Sequence, residues 1–188
     1  HHLTMTTGLD YLVDNLNCTD PNCLTYKNTP GTNWFYHNAT YSLLKDVIEN
    51  TSETTYNDFT NQKVKMKIGM GGSWIQSNYS NIYWSTARDM ARFGLLILNE
   101  GVWDNQVILS DTNYFSNMVN TSQEINKSYG YLWWLNGKES LIPPGTTIPI
   151  QASLASNAPE DLIAGMGKNG QYLDIIPSQN LVIIRMGE

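Results

Sequence analysis

The sequence predicts an α+β chain, with helices in its first two-thirds and an antiparallel sheet in its last third. Two stretches, 39–49 and 87–98, carry apolar residues at helical spacing. Beyond residue 128 the apolar period shortens to that of strands. Two of those strand-like runs, 171–176 and 181–186, are joined by Pro177-Ser178-Gln179-Asn180, a turn-forming tetrapeptide.

Residues 1–8 read as a short helix stopped by Gly8, and 9–33 as a polar, Pro- and Asn-bearing rim or lid loop. In 39–49, Leu43, Leu44, Val47 and Ile48 fall on one face, with Asn38 and Thr40 available as caps. That predicts a buried amphipathic helix. A weaker helical stretch follows at 54–66, then a long loop at 69–82 containing Gly71-Gly72. Thr86-x-x-Asp89 is a capping box that opens a mostly buried helix, and Gly101 ends it. Ser110 is expected to cap a further helix running to about Val119. Strands are expected at 129–135, 162–166, 171–176 and 181–186. The chain thus divides into a mainly helical region with rim loops, 1–128, and C-terminal antiparallel strands, 129–188.

Composition narrows the function classes. With 188 residues, 41% hydrophobic and 11% aromatic, the chain can bury a core and is too apolar for a disordered one. A formal charge of −6, three arginines and no basic run beyond the spaced Lys63, Lys65 and Lys67 argue against a phosphate-tracking nucleic-acid surface. No window approaches the 18 apolar residues of a membrane span. About one residue in nine is Asn, so amides and hydroxyls carry more of the surface polarity than charge does.

Cys18 and Cys23 flank an Asp-Pro turn that can bring them within disulfide reach, which points to an exported, oxidised protein. Two free thiols are the alternative. No third Cys or suitably spaced His completes a zinc site, and no cofactor is implied. The chain starts without a signal-like segment and reads as beginning inside an element. Further residues are therefore expected upstream, and a further element downstream of the last strand. His1 and His2 run straight into Leu3 and are read as native.

The inventory of catalytic side chains is thin. His37 is the only His beyond the terminal pair, and neither Gly-x-Ser-x-Gly nor a phosphate-binding Gly-x-x-x-x-Gly-Lys-Ser/Thr occurs. One pattern stands out, because Tyr36 and Asn38 lie two apart just before a helix and can project the same way from an extended segment. A tyrosine there could move a proton if neighbouring cations lowered its pKa, and the amide could hold a carbonyl. A packed Tyr and a helix-capping Asn are the plain alternative.

The order of motifs resembles a known family. His2-Leu3-Thr4-Met5-Thr6-Thr7-Gly8-Leu9 is similar to the His-Leu-Leu-Thr-Met-Thr-Ser-Gly-Leu segment of serine hydrolases related to class C β-lactamases, DD-peptidases, family VIII esterases and 6-aminohexanoate-dimer hydrolases. Pro30-Gly31 and Tyr36-His37-Asn38 match the family's Pro-Gly and Tyr-Ser-Asn, and Ile68-Gly69-Met70 its Leu-Gly-Met. Residues 86–94 match Ser/Thr-Ala-Arg-Asp-Met/Leu-Ala-Arg-Phe-Gly. Gly165-Met166-Gly167-Lys168-Asn169-Gly170-Gln171-Tyr172 is similar to a Gly-x-Gly-Gly-Gln-Tyr strand pair. The resemblance covers essentially the whole chain. It implies a β-lactamase/penicillin-binding-protein-like fold, incomplete at its N-terminus, with residues 1–188 forming a single partial domain.

Several consequences follow from that resemblance. The attacking Ser and its activating Lys sit in the family's Ser-x-x-Lys, upstream of the segment that begins at His2, so the nucleophile is expected outside this chain and the isolated chain to be inactive. Tyr36 would relay the proton in an acyl-enzyme mechanism on an ester or small amide, and Asn38 would position the lysine and the substrate carbonyl. His37 replaces a Ser whose side chain points away from its neighbours. The backbone N–H of Lys168 would supply the strand-borne half of the oxyanion hole, with Gly167 and Gly170 allowing backbone approach. An alternative register sets Lys168-Asn169-Gly170 against the family's Lys-Thr-Gly. Trp34, Trp74 and Tyr79 are candidate pocket walls, with plain packing as the other reading of each. A non-catalytic binding module that has lost its nucleophile is the competing function.

Overall fold

The computed structural model describes residues 1–187. Its frame is a four-stranded antiparallel sheet in the order β5 (Trp134–Leu135), β6 (Ile163–Gly167), β7 (Gln171–Ile176) and β8 (Leu181–Arg185). Helix α5 (Ala87–Leu98) crosses one face, started by the Thr86 hydroxyl, which accepts from the Asp89 N–H at 3.2 Å. Gly94 marks the crossing, since a Cβ there would stand 2.5 Å from Val182 and 2.8 Å from Leu173. Along this face Ile97, Trp133, Leu135, Ile163, Leu173 and Ile175 form one core cluster.

Trp133 and Trp134 are neighbours, so the pleat sends them to opposite faces. Trp134 enters a second cluster with Met5, Trp34, Tyr129, Ile142 and Ala164. The sheet therefore separates a helix-covered core from an aromatic one, and the candidate site grows from the aromatic side.

The helical region is more broken than its periodicity predicts. Residues 39–49 do not form one helix: α1 (Asn38–Ser42) and α2 (Leu44–Ser52) meet at Leu43, no residue of α2 is buried, and Val47 is exposed. Neither expected cap operates, because the N-cap of α1 is His37, without a side-chain bond, and the Thr40 hydroxyl donates back to the His37 carbonyl at 2.7 Å. Helical residues then run from α3 (Tyr56–Thr60) through a π-helical turn (Asn61–Lys65) to α4 (Met66–Ile68). The cap of α6 (Thr112–Val119) is Asp111 rather than Ser110, its carboxylate accepting from the Tyr114 N–H at 2.8 Å.

Residues 1–8 are turns, not a helix. Their carbonyls accept from distant N–H groups, Phe35 onto Met5 at 3.1 Å and Gly31 onto Thr6 at 2.8 Å. Gly8 is required for another reason than helix termination: its φ is 77°, and a Cβ there would lie 2.2 Å from the Asn28 carbonyl oxygen. Both terminal histidines are tied in, His1 Nδ1 to the Thr6 hydroxyl and His2 Nδ1 to the Thr40 carbonyl, each at 2.9 Å.

The stretch read as a loop at 69–82 contains a hairpin, β1 (Ser73–Ser77) and β2 (Ser80–Trp84). A second, shorter one, β3 (Val102–Trp103) and β4 (Gln106–Val107), turns on Asp104 and Asn105, both at positive φ as a tight primed turn demands. Of 129–135 only Trp134–Leu135 is strand, after Leu132 at φ 62°.

Some of the abundant asparagines are internal staples rather than surface. Asn136 is buried; its amide donates to the carbonyls of Ala155 and Pro159 at 3.0 and 2.9 Å and accepts from the Ala155 N–H at 2.8 Å. Asn126 clasps both backbone groups of Ile142 at 3.2 Å. Among the described residues no helix is long and apolar enough to cross a membrane.

Candidate active site

Tyr36 lies on an extended segment whose side chains alternate. Trp34 and Tyr36 turn into the aromatic cluster, while Phe35 and His37 face the rim loop, where Phe35 stacks on Tyr11 at 4.6 Å. The Tyr36 ring lies nearly parallel to Trp134, 5.9 Å away, and is edged by Tyr129 at 6.3 Å and Tyr41 at 6.2 Å. Burial in this nest, with a smaller contribution from Tyr41, pushes its pKa up to about 12. The sequence reading needed cations to lower that pKa. Apolar surroundings dominate instead, so the phenol is held neutral and can donate a proton rather than accept one.

Asn38 opens α1, and its amide N–H donates to the Asn17 side-chain oxygen at 2.8 Å, tying the helix start to the disulfide loop. His37 is buried and neither of its ring nitrogens has a hydrogen-bond partner. Burial holds its pKa below the usual value, against the opposing influence of Asp10. It is thus a neutral packed ring.

Trp134 pairs with Ala164 in β6, and three residues on, about 10 Å along the strand, lies Gly167. Gly167 is the last laddered residue of β6, opposite Gln171. Lys168 is not on the strand; it begins the exposed loop that turns β6 into β7. In that loop Asn169 and Gly170 have φ of 60° and 71°. A Cβ on Gly170 would lie 2.6 Å from an Arg185 guanidinium nitrogen. Arg185, a cation that the sequence reading missed, lies over the Tyr172 ring at 5.6 Å. Its position opposite Tyr172 in the β7–β8 register was the signal available.

The three aromatic wall candidates separate. Trp34, expected as a pocket wall, is instead wholly buried in the core, packed against Tyr129 and Trp134 at 5.4 and 5.9 Å, and lines neither of the two clefts that follow. Trp74 and Tyr79 belong to the β1–β2 hairpin and line a different cleft, of about 330 Å³, which contains neither Tyr36 nor Lys168. A second hollow, about 740 Å³, lies by the β3–β4 hairpin and is lined by neither of them. Cys18 and Cys23 are bonded, with Cα atoms 6.0 Å apart. They and Asp20 are the one group of metal-type ligands among the described residues, and the disulfide occupies both sulfurs.

The sequence does hold one Ser-x-x-Lys, Ser42-Leu43-Leu44-Lys45, which follows Tyr36-His37-Asn38 instead of preceding it. It straddles the break between α1 and α2. The Ser42 hydroxyl donates to the Asn38 carbonyl at 3.0 Å, and Lys45 pairs with Glu49 at 3.0 Å and Asp46 at 3.7 Å. Lys45 is thus engaged with carboxylates, and the Ser42 hydroxyl with a backbone carbonyl, rather than with each other.

A sequence profile of the beta-lactamase family matches residues 1–187. The chain belongs to the beta-lactamase family. Solved structures share this fold. Over 97% of the chain it is similar to the putative 6-aminohexanoate-dimer hydrolase from Bacillus anthracis, at 18% identity and a TM-score of 0.71. A putative beta-lactamase from Bacteroides dorei DSM 17855 matches 99% of the chain (16% identity, TM-score 0.66). An octameric penicillin-binding protein homologue from Pyrococcus abyssi matches 98% of it (16% identity, TM-score 0.60). The chain spans 53%, 63% and 50% of those three, about half the length of two of them. No curated protein matches the sequence. Within this beta-lactamase-family chain, Tyr36 packs on Trp134 of β5, whose strand partner in β6 is Ala164.

Proposed function

We propose that the chain is part of a serine hydrolase that cleaves an ester or small amide through an acyl-enzyme, with the nucleophilic Ser and its Lys on a segment upstream of residue 1. The observation that carries this reading is Tyr36: a phenol kept neutral by burial and facing the sheet through Trp134. The upstream Ser attacks the carbonyl and its proton passes to the Lys. Tyr36 then donates to the leaving group and recovers a proton from the lysine; water next attacks the acyl carbonyl, its proton passing to the lysine and from there to the departing serine oxygen. Approach of the lysine ammonium would offset the burial that raises Tyr36.

Asn38 orients the lysine and the substrate carbonyl once its amide exchanges Asn17 for them. The Lys168 N–H, in the turn that follows β6, donates to the oxyanion; one such donor contributes about 3 kcal/mol. Gly167 and Gly170 keep side chains off that approach. The bonded Cys18–Cys23 pair supports an exported location. The isolated chain, without the nucleophile, does not turn over.

The test is hydrolysis of short acyl p-nitrophenyl esters by this chain combined with its upstream segment. Tyr36→Phe is expected to lower kcat/KM about a hundredfold or more. Retention within about threefold, well below what general acid catalysis supplies, would remove Tyr36 from the mechanism.

A further inference from the structure

The cleft under the β1–β2 hairpin has no part in the proposed hydrolysis, and its chemistry is distinctive. In the hairpin register Trp74 pairs with Tyr83 and Gln76 with Asn81, so Trp74, Gln76 and Asn81 share one face. That face looks onto α2 and the start of α3 across a space of about 330 Å³, within the range of small-molecule sites. Thr19 and Tyr79 close it from the rim, where the Tyr79 hydroxyl donates to the Asp20 carboxylate at 2.6 Å.

Every residue lining the cleft carries a hydroxyl, an amide, a charge or an aromatic ring; none is aliphatic. Its charges are already matched. Lys45 pairs with Glu49 and Asp46, and Glu49 also accepts the Tyr56 N–H at 2.7 Å. An ionic ligand would have to break those pairs. Of the neutral lining groups, Ser42, Thr55, Asn57, Gln76 and Tyr79 already bond within the chain; what remains is the hydroxyls of Thr19 and Tyr56, the Asn81 amide, and the Trp74 ring standing 5.0 Å from Tyr56. Asn57 fixes that ring's backbone, accepting the Trp74 N–H at 2.9 Å and donating to its carbonyl at 2.8 Å. The aromatic surface is thus set in place before any ligand arrives.

One group asks for a partner. The Asn81 amide nitrogen is buried and has no hydrogen-bond acceptor. A buried unpaired donor is unfavourable, and an oxygen brought by a ligand would satisfy it.

We infer that this cleft binds a neutral polyhydroxylated ring, a saccharide of one or two units, with a ring face on Trp74 and a ring oxygen accepting from Asn81. The combination of a flat aromatic with neutral donors and acceptors fits such a molecule, which offers an apolar face and many hydroxyls. The site is separate from Tyr36, so its occupancy does not depend on the hydrolytic reading.

The probes are cellobiose and N,N′-diacetylchitobiose, titrated into the 188-residue chain labelled with ¹⁵N at tryptophan and followed by two-dimensional NMR. The Trp74 indole resonance is expected to shift saturably with a dissociation constant of about 1–10 mM for at least one disaccharide, ordinary for a small shallow site. Asn81→Asp keeps the side-chain shape and removes the donor; it is expected to weaken binding about tenfold, the scale of one lost hydrogen bond. Tyr36→Phe leaves the titration unchanged. Absence of a saturable Trp74 shift up to about 100 mM, far above the expected constant, overturns the inference. So does a shift that Asn81→Asp does not weaken, or one centred on another indole. Should Asn81→Asp lose the native indole pattern, Trp74→Phe, followed by the hairpin amides, takes its place under the same two outcomes.

Discussion

The neutral Tyr36 phenol is the most exposed consequence of the aromatic nest. Its folded pKa of about 12 lies about two units above the ordinary tyrosine value, which corresponds to about 2.7 kcal/mol of linkage. The folded chain holds this proton more tightly than the unfolded chain does. The stabilisation is therefore complete below about pH 10 and is lost as pH rises from 10 towards 12, where the unfolded state has released its proton and the folded state has not. Urea unfolding of the chain and of Tyr36→Phe across pH 9–12 isolates that loss, because the other buried tyrosines are common to both. The parent is expected to lose about 2–3 kcal/mol more than the variant over this interval. In parallel, ¹³Cζ-labelled tyrosine should show the Tyr36 resonance still in its phenol form at about pH 11. A Tyr36 midpoint near 10, the value of an unburied phenol, would refute the burial argument and with it the neutral proton donor.

Other consequences test the scaffold. Gly94→Ala should destabilise the chain by about 1–3 kcal/mol through overpacking against Val182 and Leu173, opposite in sign to the helix-propensity gain, and Val182→Ala should recover part of it in urea denaturation. Reduction of Cys18–Cys23 should lower stability by about 2 kcal/mol, the loop-entropy value for so short a ring, read as a Tm shift with and without dithiothreitol. Asn136→Ala strands the Ala155 N–H and takes one of two donors from each of the Ala155 and Pro159 carbonyls, and should cost about 1–3 kcal/mol, with raised hydrogen exchange across 155–159.

What the sequence revealed follows from where each signal originates. The helix after Thr86 and strands β6 to β8 were legible because capping chemistry and burial period are local properties of those residues. The hairpin at 73–84 escaped because its two faces invert the usual pattern: Trp74 and Asn81 are half-buried while Ile75, Ile82 and Trp84 are exposed. Residues 1–8 were misread because most of their backbone hydrogen bonds come from residues 19 and more positions away, which no local window contains. At the candidate site, Tyr36 and Asn38 drew notice by alternation but gained roles only from family resemblance. The ring neighbours Trp134 and Tyr129, which decide the ionisation of Tyr36, come from a segment about a hundred residues distant. Trp34 was misplaced because alternation cannot tell the side of a strand that faces a pocket from the side that faces a core.

The most direct measurement is covalent trapping with a fluorophosphonate, read by intact mass and peptide mapping on this chain with and without its upstream segment. The proposed mechanism predicts that the isolated chain stays unlabelled and that the complete protein is labelled once, on the upstream serine, at a rate that Tyr36→Phe lowers. Labelling of Ser42 in the isolated chain would contradict it, because the nucleophile would then lie in the Ser42-x-x-Lys45 segment and Tyr36 would not be serving an upstream serine.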